Sequence, residues 1–370
     1  MKLRLALIIP TMDQGGAEKQ LALLAIHLPK DQFDVHVFLL TRDGPRSETL
    51  RQANIPVTVI GKQFKADPTA LLRLKRKLVE FSPDIVHTWL FAANSFGRAA
   101  ACWAKVPTVI ASERCVDPWK SWWHFVIDRY FAKRSTAITT NSPAVREFYA
   151  AHGIDGELFH VIPNGIPAPT SSGISREEAF GRLGVANERK LLISVGRLWP
   201  QKRYRDLIWA AELVACTRDD TTLVIIGDGP QKADLLRFRD SVTIPKHVAF
   251  VGQRNDVADL LPHADMFWIG SEYEGQSNAV IEAMQAGVPV IATDIPGNRD
   301  LVIDGVTGRL VPLGDRAAMA RETLDLLANA EVANNLADAA KNRIATEFSV
   351  RQMVDSHADL YRELTGHIGN

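Results

Sequence analysis

Two glutamates, eight residues apart, stand around the start of a predicted helix in the second half of the chain. Glu274 lies in a polar turn after a predicted strand, and Glu282 lies about one turn inside the helix that begins near Ser277 or Asn278. Free backbone N–H groups at a helix start form an anion site, and carboxylates accept hydrogen bonds from hydroxyl groups. The segment therefore suits a ligand with phosphates and several hydroxyls, although two solvated glutamates favoured by the helix dipole would give the same pattern.

Two cations follow another predicted strand, because Gly196 is succeeded by Arg197 and Lys202. Positive charge just beyond the carboxyl end of a strand would neutralise a diphosphate, which is the group that a nucleotide sugar releases. Basic residues are also common in ordinary surface loops. The pattern therefore predicts a diphosphate site only in combination with the glutamate segment.

Two glycine-containing turns also follow predicted strands. Gly227 opens a tight Gly-Asp-Gly-Pro turn, which is a weak signal because any close strand-to-helix turn favours glycine. Gly15 and Gly16 follow the first predicted strand and open a helix, so their backbone N–H groups could approach a phosphate or a sugar. This is not a dinucleotide fingerprint, because the third glycine is missing and no acidic residue ends the second strand.

Short apolar runs alternate with longer amphipathic segments along the chain, and this alternation places the polar residues at strand ends. The runs are near-continuous, as in Leu5–Ile9, which is typical of parallel sheets with helices on both faces. The alternation breaks at Pro163–Gly173, which is rich in Pro, Gly and Ser and predicts an interdomain linker. The expected fold class is α/β, with doubly wound Rossmann-like domains at residues 1–167 and 168–348, and an amphipathic helix at 349–370 that belongs to the first domain.

The composition supports a folded enzyme and hides a division of charge. Of 370 residues, 46% are hydrophobic, and 43 Lys and Arg balance 43 Asp and Glu, so a disordered chain and a nucleic-acid partner are disfavoured. Residues 1–167 nevertheless carry a net charge of +6 and residues 168–370 carry −6. Three separated cysteines in no metal or redox spacing fit a reducing cytosol, and we expect neither a targeting segment nor a membrane span.

The joint order and spacing of these motifs resembles the retaining GT-B glycosyltransferases of family 4, over nearly the whole chain. No single motif is specific; those that carry the resemblance are Glu274 to Glu282 with Ala283-Met284, Gly196-Arg197 with Lys202, Gly227-Asp228-Gly229-Pro230, Gly15-Gly16-Ala17-Glu18 and Pro163-Asn164-Gly165. The resemblance implies two domains facing each other across a cleft, and a last helix that crosses back to the first domain. It also implies a hinge near Gly165–Ser172 and Phe348–Ser349.

The resemblance implies that the second domain holds a nucleotide-diphosphate sugar, with a UDP-sugar as the first expectation. Glu274 would contact hydroxyls of the donor sugar, Glu282 the ribose hydroxyls, and Arg197 and Lys202 the diphosphate. The other donor-binding residues expected in this way are Gly15, Gly16, Gly227, Gly252, Arg254, Gly275, Gln276, Ser277, Asn278 and Ala279.

The resemblance further implies transfer with retention, in which the departing phosphate oxygen takes the acceptor proton. No metal or other cofactor is expected, because the sequence has no Asp-x-Asp triplet and its cations would neutralise the leaving group. The acceptor would be a glycan or a lipid-linked glycan in cell-envelope polysaccharide or glycolipid synthesis. Alternatives on the same fold are a nucleotide-sugar epimerase, a phosphorylase and a non-catalytic nucleotide-sugar-binding protein.

Two first-domain residues are candidates for the catalytic site beside Glu274. Many family members carry a histidine where this chain has Glu113, which could orient the acceptor hydroxyl or pair with Arg114. His87 also ends a predicted strand and could face the cleft, although a hydrogen-bonded histidine of the interior would give the same pattern.

An aromatic and basic segment, residues 117–134, is the candidate acceptor or membrane surface. Asp117 and Pro118 predict a helix start, and the simplest interpretation is an apolar stripe packed on the sheet. The alternative is an exposed surface that meets an anionic membrane or a lipid-linked acceptor, at the cytoplasmic face of the membrane. The residues predicted for that surface are Trp119, Lys120, Trp122 and Trp123.

Overall fold

The computed structural model describes residues 2–168 and 173–366, so residues 169–172 of the predicted linker and hinge lie outside the described part. The chain divides into two compact units. The first comprises the residues up to Gly165 together with those from Ser349, and the second comprises Ile166–Phe348. The division thus falls two residues before the boundary that the sequence predicts.

The first unit contains a seven-stranded parallel sheet in the order β3-β2-β1-β4-β5-β6-β7. Its strands are β1 (Leu3–Ile9), β2 (Phe33–Leu39), β3 (Val57–Val59), β4 (Ile85–Trp89), β5 (Thr108–Glu113), β6 (Ala137–Thr140) and β7 (Phe159–Val161). Its first six helices are α1 (Gly16–His27), α2 (Arg46–Gln52), α3 (Pro68–Phe81), α4 (Leu90–Trp103), α5 (Trp122–Ala132) and α6 (Pro143–Ala151). Most of the strand residues that are buried are apolar, because helices cover both faces of the sheet.

The second unit contains a six-stranded parallel sheet in the order β10-β9-β8-β11-β12-β13. Its strands are β8 (Lys190–Val195), β9 (Thr221–Ile226), β10 (Val248–Gly252), β11 (Met266–Ile269), β12 (Val290–Thr293) and β13 (Arg309–Val311). Its helices are α7 (Arg176–Leu183), α8 (Tyr204–Ala215), α9 (Lys232–Val242), α10 (Val257–Leu260), α11 (Asn278–Gln285), α12 (Pro296–Arg299), α13 (Arg316–Ala328) and α14 (Ala330–Glu347). Both sheets confirm the predicted α/β class.

The last helix, α15 (Val350–Leu364), belongs to the first unit, as the sequence predicts. Ser349 caps its start by accepting a hydrogen bond from the backbone N–H of Gln352. Its apolar face completes the layer that α1 begins over one face of the first sheet. In that layer the hydroxyl of Tyr361 lies 2.7 Å from His87 Nδ1, in the interior of the unit.

We expect Tyr361→Phe to lower the free energy of unfolding of the first unit by about 1–3 kcal/mol, because it leaves a buried ring nitrogen of His87 without a partner. Calorimetric melting of the full chain measures the change. Tyr130→Phe is the matched control. Because Tyr130 is exposed, loss of its hydroxyl should change the free energy of unfolding by no more than about 0.5 kcal/mol. Equal melting temperatures for the two variants would contradict this account of α15.

Candidate functional site

The turn that contains Glu274 lies at the carboxyl edge of the second sheet, between β11 and α11. Ser277 is the N-cap residue of α11, and the helix begins at Asn278, which confirms the predicted start. Glu274 is only 8% exposed, and its Oε1 accepts a hydrogen bond of 2.7 Å from Ser271 Oγ. The same oxygen accepts a hydrogen bond from Lys202 Nζ. The structure therefore joins the predicted sugar-binding carboxylate to one of the predicted diphosphate cations.

The two predicted cations occupy different environments. Lys202 ends a short 3-10 turn, Pro200–Lys202, that follows β8, and its charge is partly compensated by Glu274. Arg197 is exposed, and its guanidinium carbon lies 5.0 Å from the ring centre of Trp199. Among the described residues Arg197 forms no ion pair. It is therefore the cation of this edge whose charge is still available to an anion.

Close backbone approach explains why glycine stands at two positions of this edge. Gly227 has a φ of +150°, and a side chain there would place its Cβ 2.0 Å from the carbonyl oxygen of Gly196. A Cβ at Gly297 would lie 2.4 Å from the carbonyl oxygen of Gly275 and 2.5 Å from that of Glu274. Gly297 is not among the residues that the sequence predicts for the site; its signal is the Pro-Gly pair that opens α12, shortly after β12.

Three polar residues that the sequence analysis also missed hold the Glu274 turn in place. Thr293 Oγ1 donates a hydrogen bond of 2.6 Å to the carbonyl oxygen of Ser271, and Asn298 Nδ2 donates one of 2.8 Å to that of Thr293. Ser271 itself bonds to Glu274, as described above. Serine, threonine and asparagine are common in loops, so their types alone give no signal.

The remaining predicted donor residues lie around the same edge of the second sheet. Gly275, Gln276 and Ser277 are buried in the turn, and Glu282 is half-buried inside α11. Arg254 forms a bidentate pair with Asp256, with N–O distances of 2.7 and 2.8 Å. Asn278 and Ala279 open α11, and Gly252 ends β10. Their contacts with a donor remain a prediction.

In the first unit, Gly15 and Gly16 lie where the sequence predicts them, beyond the carboxyl end of β1. Gly15 is the N-cap residue of α1, and Gly16 is the first residue of that helix. A side chain at Gly15 would overlap the carboxylate of Glu18, whose flexible side chain could move away. Their role toward the donor stays a prediction.

Glu113 ends β5 and is held on both carboxylate oxygens. Its Oε1 accepts a hydrogen bond of 2.9 Å from Asn94 Nδ2, and its Oε2 accepts one of 2.9 Å from the hydroxyl of Tyr149. The proposed pairing with Arg114 is wrong. Arg114 instead lies 4.8 Å from the ring centre of Trp89 and donates a hydrogen bond to an oxygen of Asn164.

Lys120 is buried in a cluster of charges and is not a surface residue, so its predicted place on a membrane surface is wrong. Its Nζ lies 2.9 Å from Asp128, 3.5 Å from Glu113 and 3.5 Å from Asp117. Arg98 pairs with the other oxygen of Asp128 at 3.3 Å. The segment folds inward here because three carboxylates, one each from β5, the connection after it and α5, compensate the charge of a buried ammonium group.

The structure contradicts a catalytic role for His87. Its side chain is fully buried, and both ring nitrogens have partners, Tyr361 at 2.7 Å and Thr139 at 3.0 Å. Burial, with the nearby His357 and Arg114, lowers the pKa of His87 well below its usual value. The ring therefore stays neutral in the interior of the first unit, where it joins α15 to the sheet.

The predicted apolar stripe of the aromatic segment is also wrong. The helix α5 begins at Trp122 with Ser121 as its cap, four residues later than Asp117 and Pro118 suggest. Its buried face consists of Phe125, Asp128 and Ala132. The large side chains of the segment that lie outside this face are exposed; they are Trp119 (52%), which precedes the helix, and Trp122 (77%), Trp123 (44%), Val126 (45%) and Tyr130 (53%) within it.

Comparisons with known proteins identify the family and the fold of the chain. The family model for glycosyl transferases group 1 matches residues 175–343, and that for glycosyltransferase family 4 matches residues 14–168. The crystal structure of Anabaena Alr3699/HepE in complex with UDP-glucose superposes with a TM-score of 0.87 over 98% of this chain and all of that chain, at 24% identity. The fold is therefore GT-B, the architecture of two Rossmann-like units.

Curated relatives extend the match over most of the chain. The UDP-Gal:alpha-D-GlcNAc-diphosphoundecaprenol alpha-1,3-galactosyltransferase of Escherichia coli is 28% identical over 91% of each chain. The alpha-maltose-1-phosphate synthase of Mycobacterium tuberculosis is 28% identical over 75% of this chain and 78% of the relative. The chain belongs to the group 1 glycosyltransferases, and it is a hexosyltransferase of that family. Within the part of the chain that the structure describes, no helix combines the length and the apolar character needed to cross a membrane.

The charge cluster around Lys120 makes a prediction about pH. Burial, followed by repulsion from Glu113, raises the pKa of Asp128 from 3.8 to about 6. Between about pH 4 and pH 6 the folded state therefore binds more protons at Asp128 than the unfolded state, and stability falls as the pH rises through this window. Asp128→Asn removes this titration, so its melting temperature relative to the wild type should rise across the window.

Melting curves of the wild type and Asp128→Asn at several pH values between about 4 and 7 test this expectation. The same substitution at the exposed Asp31 is the matched control. A difference between Asp128→Asn and the wild type that stays constant with pH would show that Asp128 does not titrate in this window.

Proposed function

We propose that this enzyme transfers a sugar from a nucleotide-diphosphate sugar, a UDP-sugar in the first instance, to a glycan or lipid-linked acceptor. The transfer proceeds with retention and uses neither a metal ion nor another cofactor. The observation that carries the proposal is the pairing of Lys202 with Glu274 beside the start of α11, at the carboxyl edge of the second sheet. It is supported by HepE, whose structures contain UDP and UDP-glucose.

The charges at this edge suit a diphosphate leaving group. Arg197 and Lys202 both follow β8, and the first backbone N–H groups of α11 add the positive end of a helix dipole. The ammonium group of Lys202 has three N–H donors, so it can keep its bond to Glu274 and also donate to a phosphate oxygen. Cations fixed in this way stabilise the negative charge that develops as the diphosphate departs.

The two carboxylate oxygens of Glu274 have different roles in this proposal. Among the described residues, both of its hydrogen bonds fall on Oε1, from Ser271 and Lys202. Its Oε2 is therefore the oxygen that receives a hydroxyl hydrogen of the donor sugar. The hydrogen bond from Lys202 fixes the orientation of the carboxylate, so Oε2 is held in one position to receive the hydroxyl hydrogen.

Retention needs no protein base in this scheme. The bond between the anomeric carbon and the diphosphate oxygen breaks, the acceptor oxygen bonds to the same face of that carbon, and its proton passes to the departing phosphate oxygen. Glu113 fits a positioning role and not that of a base, because it is only 3% exposed and its carboxylate is surrounded by Asn94, Tyr149 and the ammonium group of Lys120. Its interactions fix the carboxyl end of β5 on the acceptor side.

The acceptor class and the cellular setting rest on the relatives and on an exposed face of α5. The name of the E. coli relative specifies a lipid-linked diphosphate sugar, which supports an acceptor in cell-envelope glycan assembly. Trp122, Val126 and Tyr130 repeat every four residues on the exposed side of α5, and the guanidinium carbon of Arg134 lies 3.7 Å from the ring centre of Tyr130. Aromatic side chains beside basic groups suit an anionic membrane surface, so we place the enzyme at the cytoplasmic face of the membrane.

Glu274→Gln should separate catalysis from nucleotide binding. We expect turnover to fall about 100-fold or more, because a fixed carboxylate that receives a donor hydroxyl is lost. The affinity for UDP should hold or rise, since Lys202 is released from its carboxylate partner. Calorimetric titration with UDP and a product assay with UDP-sugars measure the two effects.

The matched control is Glu272→Gln, because Glu272 is exposed in the same turn. Loss of UDP affinity in Glu274→Gln, in parallel with loss of transfer, would contradict the role given to Glu274. Conversion of the donor by the wild type in the absence of any acceptor would indicate an epimerase, and UDP binding without any turnover would indicate a binding protein.

The membrane contact makes a separate prediction. The wild type should sediment with anionic phospholipid vesicles, less so at high salt, and the double variant Trp122→Ser with Tyr130→Ser should partition at least roughly tenfold less. Trp209→Ser is the matched control, because Trp209 is half-exposed in the second unit. Sedimentation that ignores lipid charge, or that the double variant retains, would contradict this contact.

A further inference from the structure

We propose that an aromatic cluster in the first unit binds a pyranose ring of the acceptor, by stacking on Trp119. The aromatic cluster consists of Phe91, Trp119, Trp123 and His124, which are linked by ring contacts. The inference rests on the proposed function, because it assigns the acceptor site of that reaction. It differs from the membrane contact, which uses the face of α5 at Trp122, Val126 and Tyr130.

The aromatic cluster lies where an open parallel sheet places its ligands. Phe91 is in the first turn of α4, directly after β4, and His124 is in the first turn of α5. Trp119 lies in the connection between β5 and α5. Because β4 and β5 are parallel neighbours, with Trp89 opposite Ser112, both connections leave from the same edge of the sheet. Ligands of doubly wound sheets bind outside the carboxyl ends of the strands.

The indole of Trp119 is half-exposed and yet fixed in orientation. Its Nε1 donates a hydrogen bond of 2.9 Å to Asp117. Its ring centre lies 5.7 Å from that of Phe91 and 5.2 Å from that of His124, with interplanar angles of 86° and 81°. Two edge contacts and one hydrogen bond therefore hold the plane, while 52% of the residue remains exposed. A ligand that stacks on this plane loses little affinity to ordering of the side chain.

Polar groups beside the indole match the hydroxyls of a sugar. His124 Nδ1 accepts a hydrogen bond of 3.0 Å from the backbone N–H of Ser121, so the neutral ring carries its proton on Nε2. Burial, followed by the charge of Lys120, lowers the pKa of His124 and favours that neutral form. Asp117 supplies carboxylate oxygens as acceptors. A pyranose presents an apolar face of C–H groups and a rim of hydroxyls, which need both donors and acceptors.

The buried charges beneath the aromatic cluster keep it in place. Lys120, the residue after Trp119, lies 4.9 Å from the ring centre of Phe91 and bonds to the hydroxyl of Tyr149 at 2.7 Å. The same hydroxyl lies 2.7 Å from Asp117. Asp117 is thus fixed on one oxygen by Tyr149 and on the other by Trp119. These contacts fix the polar and aromatic groups in one arrangement. Such a fixed arrangement suits a ring of defined shape better than a flexible lipid chain.

Trp122 shows the contrast within one segment. It is 77% exposed, but among the described residues it has no ring contact. A side chain of this kind can adapt to a lipid surface, whereas the fixed plane of Trp119 beside Asp117 suits one defined ring. The acidic side chain also disfavours an anionic lipid headgroup at this position. The observations therefore favour a sugar over a lipid as the occupant of the aromatic cluster.

Fluorine NMR of the full chain, labelled with 5-fluorotryptophan, tests the site directly. Trp119→Phe and Trp122→Phe assign the two resonances, and the probes are the methyl glycosides of glucose, galactose and N-acetylglucosamine. We expect the Trp119 resonance to shift saturably with at least one glycoside, while that of Trp122 does not move. Asp117→Asn and His124→Phe should each weaken this binding about threefold to tenfold, because each removes one hydrogen bond to a hydroxyl.

A Trp119 resonance that moves only with anionic phospholipid vesicles would assign the aromatic cluster to the membrane and overturn the proposal. The absence of a shift with every glycoside would also overturn it. UDP titration of the same sample separates this result from the proposed function. Glycoside binding at Trp119 without UDP binding would contradict the glycosyltransferase site and leave the aromatic cluster intact. UDP binding without glycoside binding would contradict the sugar site at the aromatic cluster and leave the proposed glycosyltransferase site intact.

Discussion

The ion pair between Lys202 and Glu274 is the interaction on which the account of the donor end depends. It joins the turn after β8 to the turn after β11. These two strands are hydrogen-bonded neighbours at the centre of the second sheet. Because parallel strands end at one edge, residues separated by 72 positions meet there. The pair places one positive and one negative group side by side, as a ligand with a diphosphate and a hydroxylated ring requires. Close backbone contacts at Gly227 and Gly297 let the surrounding loops pack around it.

The first unit uses the corresponding edge of its own sheet in a different way. There the carboxylate, Glu113, is buried and bonded on both oxygens, and the ammonium group of Lys120 is shared among three carboxylates. Breaking such a buried group is costly, so the arrangement serves to fix the connection between β5 and α5. What this connection presents to solvent is aromatic. The two edges therefore differ in chemistry: that of the second unit is charged, which suits the proposed nucleotide diphosphate, and that of the first unit is aromatic, which suits the proposed sugar ring.

The fold could be predicted from the sequence because its signals are local. Near-continuous apolar runs marked the buried parallel strands, and Ser277 followed by a helical pattern marked the start of α11. In the first unit, the predictions for individual side chains were wrong where contacts with other elements decide whether a side chain is buried. His87 is held by Tyr361, 274 residues away, and Lys120 is buried because Glu113 and Asp128 come from other elements. The local sequence pattern around His87 and Lys120 does not show that these three residues become their partners.

The aromatic segment illustrates the same limit at short range. Asp117 before Pro118 has the form of a helix cap, but its carboxylate accepts a hydrogen bond from Trp119 and lies 2.7 Å from the hydroxyl of Tyr149. The helix consequently begins at Trp122, and the face turned inward contains Asp128 in place of the tryptophans. A sequence pattern ranks alternative faces by hydrophobicity alone, whereas here a buried ion pair decided between them.

The most direct test of the central claim is the affinity of the second unit for UDP compared with uridine, measured by calorimetry on the full chain. If Lys202 holds the diphosphate, UDP should bind at least roughly tenfold more tightly than uridine, because each charge-assisted hydrogen bond contributes about 1.5–3 kcal/mol. Lys202→Met should reduce that difference, and Lys246→Met, at an exposed lysine of the same unit, should preserve it. Equal affinities of the wild type for UDP and uridine, or a difference that Lys202→Met leaves unchanged, would contradict the account.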